Sequence, residues 1–212
     1  MPDSVVPVVL CCDSRSVLKL DLLVHSIIDN VPRAQLYLIT DRVGVFAPWA
    51  HKIGVSEFRL SKTPFQRITY HMWYRCVIPD VFPELERCIY LDFDTLVLKD
   101  ISPLLEGDFT LRAAYYNGDI FNSGVLAFNF TDECKVLLKS CLAQATESTF
   151  DQDVMNKVFR GKVEFVDQAY NTTADLYGVT VSDPIVVHYV GELKPWDINI
   201  NFKHWFKYAG LV

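Results

Sequence analysis

Two carboxylates one residue apart, Asp92 and Asp94, sit in the segment CIYLDFDTLVLKDISPLL directly after an apolar run. On extended backbone the side chains at i and i+2 point the same way, and two like charges held close together are costly unless a cation or a proton joins them. A hard divalent metal is the natural occupant of such a pair. Solvated turn aspartates are the plainer reading of an isolated D-x-D, but the apolar runs on both sides weaken it here. Towards the other end of the chain, VVHYVGELKPW puts His188 at a strand end, Gly191 in the turn, and Lys194, Pro195 and Trp196 just beyond. A lone histidine on an apolar strand is usually a core residue. Beside two carboxylates it becomes a candidate third ligand, and imidazole with carboxylates favours Mn2+, with Mg2+ as a possible substitute. Lys194 reads either as a surface lysine or, next to a permissive glycine, as a point charge for phosphate oxygens.

Two further segments carry polar groups at element ends. FNSGVLAFN places Asn122 and Ser123 before a glycine that opens an apolar strand. The bland reading is a turn; the functional one directs the amide and hydroxyl into a cleft, where they read sugar hydroxyls or a ribose. FDQDVMN opens a helix with Asp151, Gln152 and Asp153, and acidic residues are common in a first helical turn for dipole reasons alone. A rival enzyme class has a related signature. Haloacid-dehalogenase-like phosphatases place D-x-D-x-T/V after a strand and attack phosphate with the first aspartate, but here Thr95 comes one place early, Leu96 fills the Thr/Val position, and the motif lies mid-chain.

The elements that must position these groups alternate. Val5 to Cys12 reads as a buried strand ending at the capping residues Asp13 and Ser14, and Val17, Leu20, Val24, Ile27 and Ile28 recur with helical spacing before Pro32. Ala34 to Thr40 reads as the next strand and ends at Asp41, giving a β-α-β unit and hence a parallel sheet. Thr63-Pro64 starts a helix that runs to about Val77, before Pro79. Cys88 to Leu91 is the third strand, with others at Thr110 to Ala114, Val125 to Phe130, Val163 to Val166 and Ile185 to Tyr189. Helices are expected at Asp132 to Ala145 and at Asp151 to Arg160, the latter ended by Gly161. Ligands of open α/β sheets sit beyond the carboxyl ends of the strands, where this chain places Asp13, Asp41, Asp92, Asp94 and His188.

Composition bounds the function. With 212 residues, 50% of them hydrophobic, and no linker or repeat, the chain is expected to form one domain, residues 1–212. A net charge of -6 argues against a nucleic-acid partner, because phosphate-backbone affinity needs clustered Lys and Arg. An acidic protein that holds a diphosphate would need a local cation and one or two basic side chains. The cysteines Cys11, Cys12, Cys76, Cys88, Cys134 and Cys141 lie mostly in apolar runs with no C-x-x-C pair, which reads as buried thiols. Neither a signal segment nor a transmembrane run is visible, so a soluble, cytoplasmic location is expected. The sequons at Asn129 and Asn171 then read as ordinary asparagines.

Taken in order, YLDFDTLV, NSG, DQD and H-x-x-G-x-x-K-P-W make the chain resemble the family 8 glycosyltransferases, the group of glycogenin and the bacterial lipopolysaccharide galactosyl- and glucosyltransferases. The resemblance spans VVLCCDS to HYVGELKPW. It implies a Rossmann-like α/β fold of the type called GT-A, with a mostly parallel mixed sheet flanked by helices. It implies that Asp92, Asp94 and His188 bind Mn2+, that Gly191 and Lys194 contact the donor's diphosphate, and that Asp13 hydrogen-bonds uracil. Arg75, in MWYRCVIP, matches the family's donor-sugar arginine, while Asn122, Asp151 and Gln152 would line the sugar. The implied donors are UDP-glucose and UDP-galactose, and the implied acceptor is a glycan or a protein-linked sugar.

The chain departs from the family in two respects. Only about thirty residues separate Asp92 from Asn122, in a region that helps build the family's acceptor site, and no tyrosine matches the self-glucosylated one of glycogenin. The compactness resembles a glycosyltransferase domain encoded by a large algal DNA virus, which leaves UDP-rhamnose open as donor. Two alternatives remain. A sugar-nucleotide pyrophosphorylase would share the core but needs a glycine-rich basic loop, which the stretch after Cys12 lacks. A binding module would keep the UDP-sugar contacts without turnover.

Overall fold

The computed structural model describes residues 5–52, 59–62, 71–146, 148–175, 178–192, 194–196 and 205. The first β-α-β unit forms as its apolar pattern dictates: β1 (Val6–Cys11), α1 (Leu20–Asn30) and β2 (Ala34–Thr40), the strands pairing in parallel with Val8 opposite Leu36. The expected helix begins later than its periodicity predicts, because Asp13 caps a 3-10 turn at Ser14–Lys19 that precedes α1. Next come α2 (Val43–Lys52) and β3 (Arg59–Lys62), which pattern reading did not find. The expected helix start at Thr63-Pro64 lies outside the described residues, and His71–Val77 is a 3-10 helix leading into α3 (Ile78–Val81). Pro79 does not stop that helix. It lies in the first turn, where its missing N–H is not needed.

The chain continues through β4 (Arg87–Leu91), β5 (Thr95–Val97), β6 (Leu111–Asn117) and β7 (Ile120–Asn129). Strand β7 begins five residues before the expected Val125, because it pairs with β6 across a tight hairpin in which Gly118 takes φ +57°. Asn122 and Ser123 are therefore strand residues and not a turn. The remaining elements are α4 (Asp132–Ala143), α5 (Asp151–Val158), β8 (Val163–Val166), β9 (Thr172–Asp175), β10 (Gly178–Val179) and β11 (Val186–Tyr189). Gly161, φ +74°, follows α5 as expected.

The large sheet has the order β3-β2-β1-β4-β7-β6-β8, and only β7 runs against its neighbours. Both faces are covered. Val9, Cys11, Tyr37, Cys88 and Tyr90 point to a core shared with the 71–77 helix, α3, α4 and α5. Val8, Leu10, Leu38, Ile89 and Leu91 point to one shared with α1. Two-sided burial explains why these strands read as continuous apolar runs, and each buried aliphatic side chain contributes about 1.5–3 kcal/mol relative to exposure.

A smaller sheet, β10-β9-β11-β5, stands beside the large one. Its strand β5 is tied to α1: Val97 N donates to Ser26 Oγ at 3.1 Å, and Asn30 Nδ2 donates to Val97 O at 3.2 Å. All six cysteines are buried and free. Among the described residues no helix is long and apolar enough to cross a membrane.

Candidate active site

The junction of the two sheets assembles the acidic pair. Asp92 N still donates to Gly124 O across the β4–β7 ladder at 2.8 Å, but the chain then turns, with Thr95 N and Oγ1 both donating to Asp92 O at 3.2 and 2.7 Å. The two carboxylates thus share one crevice because of a tight turn, and not because of the extended alternation expected from the spacing. Antiparallel pairing of β5 with β11 sets His188 opposite Thr95, and Tyr189 N donates to Asp94 O at 2.9 Å. His188 Nε2 lies 3.4 Å from Asp94 Oδ1 and 3.7 Å from Asp92 Oδ2. One ligand atom from each of the three residues falls within 4.8 Å of the others. Two hard oxygens and one imidazole nitrogen converging this closely fit a divalent transition metal.

Each aspartate has its own basic partner. Lys194 Nζ donates to Asp94 Oδ2 at 2.6 Å and to Tyr189 O at 2.7 Å. Burial alone would raise the Asp94 carboxyl, but His188 and Lys194 outweigh it and hold the group below the ordinary carboxylate range. Asp92 receives Arg75 Nη2 at 2.9 Å and the Tyr90 hydroxyl. Arg75 is buried among acceptors: Nε donates to Met72 O at 2.9 Å and meets Asp151 Oδ2 at 3.0 Å, and Nη1 donates to Ser123 O. Its guanidinium carbon lies 4.4 Å from the centre of the Tyr90 ring. Burial disfavours the Arg75 charge, yet Asp151 and Asp92 more than offset it and raise its pKa. For Asp151 burial wins over the pull of Arg75, and its carboxyl lies above the ordinary value.

Helix α5 is docked on β7 by amide side chains one turn apart. Asn156 exchanges two hydrogen bonds with the Phe121 backbone, each 2.9 Å, and Gln152 Oε1 accepts from Ser123 N at 3.1 Å. That oxygen is thereby engaged by the strand. The Ser123 hydroxyl is buried and lies 3.5 Å from Asp151 Oδ2. Asn122 Oδ1 accepts from Gly124 N at 2.9 Å and from Asn171 Nδ2 at 3.1 Å. Both residues border the cavity at this site, with the Asn122 oxygen and the Ser123 hydroxyl also engaged inside the protein.

A cavity of about 420 Å³ opens over these groups. Arg75, Asp92, Asp94, Asn122, Ser123, Asp151, Gln152, His188, Gly191 and Lys194 all line it, Gly191 with φ +86° at the turn towards Lys194. Asp13 does not. Its carboxylate caps the 3-10 turn and pairs with Arg15 Nε at 2.8 Å, and although burial works against it, Arg15 and Ser16 keep it below the ordinary range. Asp41 joins the ends of β1 and β2 by accepting from Ser14 N at 2.6 Å.

Sequence reasoning passed over several residues of the site. His71 and Phe93 both line the cavity, with ring centres 5.5 Å apart, and Phe93 stacks on Trp196 at 5.7 Å. Gly124 matters for the space it leaves: a β-carbon there would stand 2.0 Å from His188 Cε1. Asn171, read from its sequon as ordinary, is buried beside His188. Only the glycine of NSG carried a local signal.

Comparison with known proteins agrees with this geometry. Residues 51–199 match the model of glycosyl transferase family 8. Glycogenin-2 of Homo sapiens is 30% identical over 129 residues, 54% of this chain and 26% of the relative. The lipopolysaccharide 1,3-galactosyltransferase of Salmonella typhimurium is 26% identical over 167 residues, 60% of this chain and 50% of the relative. The chain thus spans half or less of either relative's length. A crystal structure of the galactosyltransferase LgtC, in complex with donor and acceptor sugar analogs, superposes with a TM-score of 0.77 at 19% identity, covering 97% of this chain and 94% of that one. It shares the GT-A fold, with its mostly parallel mixed sheet between helices. The family match covers well over half of the 212 residues, and the chain belongs to glycosyl transferase family 8.

Proposed function

We propose that this chain is a Mn2+-dependent glycosyltransferase that moves a hexose or deoxyhexose from a UDP-sugar to a hydroxyl of a glycan or protein-linked sugar. The observation that carries this reading is one cavity bordered at one end by Asp92, Asp94, His188 and Lys194 and at the other by Arg75 and Asp151. The first group suits a metal and a diphosphate, the second a sugar. UDP-glucose and UDP-galactose are the first donors to try, with UDP-rhamnose next.

Asp92, Asp94 and His188 would hold the ion, Mn2+ or in its place Mg2+. When bound, it would supply Lewis-acid stabilisation of negative charge on the departing diphosphate. The protein's own groups account for the rest. Lys194 adds a second positive charge at the diphosphate end, where charge develops as the anomeric bond breaks. Asp151, fixed by Arg75 and docked with α5 on β7, places negative charge where the sugar gains oxocarbenium character. Because that carboxylate is already in place, little reorganisation is required during reaction.

The test is a panel of UDP-, GDP- and ADP-linked sugars with and without Mn2+, scored for binding by calorimetry and for slow donor hydrolysis. Mn2+-dependent binding and hydrolysis of at least one UDP-sugar is expected, and Asp94→Asn should abolish the Mn2+-dependent part. Binding without any turnover would point to the module, and unchanged Mn2+-dependent affinity in Asp94→Asn would sink the metal assignment.

A further inference from the structure

The imidazole of His188 is held on two sides, by Gly124 and by Asn171, neither of which is a candidate metal ligand. Its ring lies flat against Gly124, where an added β-carbon would stand 2.0 Å from Cε1, 2.4 Å from Nδ1 and 2.8 Å from Nε2. At its edge, Nδ1 lies 3.0 Å from Asn171 Oδ1. Asn171 ends the 3-10 turn Gln168–Asn171, one residue before β9, and the parallel pairing of Thr172 with Val187 brings it alongside His188.

The hydrogen bonds around Asn171 can be read in one sense only, starting from a backbone group whose polarity is fixed. Gly124 N–H donates at 2.9 Å to Asn122 Oδ1, which marks that atom as oxygen. Asn171 Nδ2 donates to the same Oδ1 at 3.1 Å and to Asn122 O at 3.2 Å, so its amide nitrogen faces Asn122 and its oxygen faces His188. An amide oxygen accepts and does not donate. The proton on the neutral imidazole therefore sits on Nδ1, and the lone pair sits on Nε2, the atom turned towards Asp92 and Asp94.

We propose that Asn171 is a positioning residue for metal binding: relayed from Gly124 through Asn122, it fixes the tautomer and ring orientation of His188 so that Nε2 presents a lone pair to the ion. The inference rests on the metal reading above. It makes Gly124 part of the same device, since the glycine of NSG supplies both the N–H that starts the relay and the open face on which the imidazole lies. Partners behind a metal-bound histidine act in this way generally, and their loss costs about 10–100-fold in metal affinity.

The experiment measures Mn2+ affinity without nucleotide, by electron paramagnetic resonance of free ion, in the wild type, Asn171→Ala and Asn171→Asp. Asn171→Ala is expected to bind Mn2+ about 10–100-fold more weakly, while Asn171→Asp, which keeps an oxygen opposite Nδ1 but loses the donor to Asn122, should fall between Asn171→Ala and wild type. A role confined to folding would lower the melting temperature of both variants and leave the affinity of the folded fraction unchanged, which would overturn the proposal. An independent readout needs no variant. In the Mg2+-loaded wild-type protein, long-range 1H–15N spectra should show His188 protonated at Nδ1, and a proton on Nε2 would also overturn it. If the wild type itself binds no Mn2+, the metal reading fails and this inference fails with it; wild-type binding matched by Asn171→Ala would sink the inference alone.

Discussion

Asp92 and Asp94 are one residue apart, yet the two ends of the cavity neutralise them by different means. Asp92 stands with the metal-site groups but is neutralised from the Arg75 end, built from the core of the large sheet, where the arginine side chain is 3% exposed and shared among oxygens of Met72, Asp92, Ser123 and Asp151. Asp94 belongs to the Lys194 end, built from the small sheet and the turn at Gly191, where the lysine side chain is 19% exposed and donates to Asp94 and Tyr189. The difference follows from the two side chains. Arg75 presents a planar fork that several fixed acceptors can saturate, whereas Lys194 is a point charge on a flexible stem. An end that recognises a sugar ring gains from such rigidity, and an end that must take up a metal and a diphosphate gains from a partner that can exchange.

The largest expected effect breaks the rigid end. Arg75→Ala leaves Asp92 and Asp151 without their shared cation, and removing one partner of a buried pair costs about 3–5 kcal/mol. Denaturant unfolding should show that loss, and Arg75→Lys should not restore it, because one ammonium cannot serve four acceptor sites. A loss under about 1 kcal/mol in Arg75→Ala would mean that the Arg75 end is not the rigid one.

The next prediction separates sugar from diphosphate. Asp151→Asn should lower donor turnover about a hundredfold, roughly 3 kcal/mol of transition-state stabilisation, with Mn2+ and UDP affinity nearly intact. Near-normal turnover would reject a role at the reacting sugar, and lost UDP binding would place Asp151 in the wrong subsite. Lys194→Ala should do the reverse on a smaller scale: Mn2+-dependent UDP affinity falls about tenfold, or 1.4 kcal/mol, while stability changes by about 1 kcal/mol. Equal UDP affinity in the variant and wild type would remove Lys194 from the diphosphate.

The smallest effect concerns acid. The Asp94 carboxyl is held below its unfolded value, so its contribution to stability is present above the ordinary carboxylate pKa and is lost as the pH falls through the lowered one. Asp151 has the opposite sign: its raised carboxyl contributes stability below the ordinary value, and that contribution is lost as the pH rises through the raised one. Unfolding of the metal-free protein followed from neutral pH into acid should therefore have a flatter acid limb in Asp94→Asn than in wild type, and no flattening in Asp151→Asn. Identical acid limbs in Asp94→Asn and wild type would show that Asp94 is not held by Lys194 and His188.

By itself the sequence was enough for the central strands, because β1, β2 and β4 are buried on both faces and an apolar run is the direct imprint of that burial. It was also enough for the chemical types at the site. D-x-D, NSG, DQD and H-x-x-G-x-x-K are local strings, and the cavity is lined by residues from each of them. Strands β3, β5, β9 and β10 escaped because polar strings such as RLSK and TTAD, or runs of only two or three residues, leave too little apolar pattern to separate from loops, whereas the equally short β8 and β11 carry apolar residues. Tertiary structure alone decided which polar groups meet: His188 reaches Asp94 only through the pairing of β5 with β11, and Arg75 reaches Asp151 only because α5 docks on β7. It also parted Asp13, which its own turn and Arg15 satisfy, from Asn171, whose sequon says nothing of the histidine beside it. The reason is physical. A side chain's type is written at its own position, but whether its hydrogen-bond partner is water, a neighbour or a residue far along the chain depends on which surfaces are buried together when the sheets close.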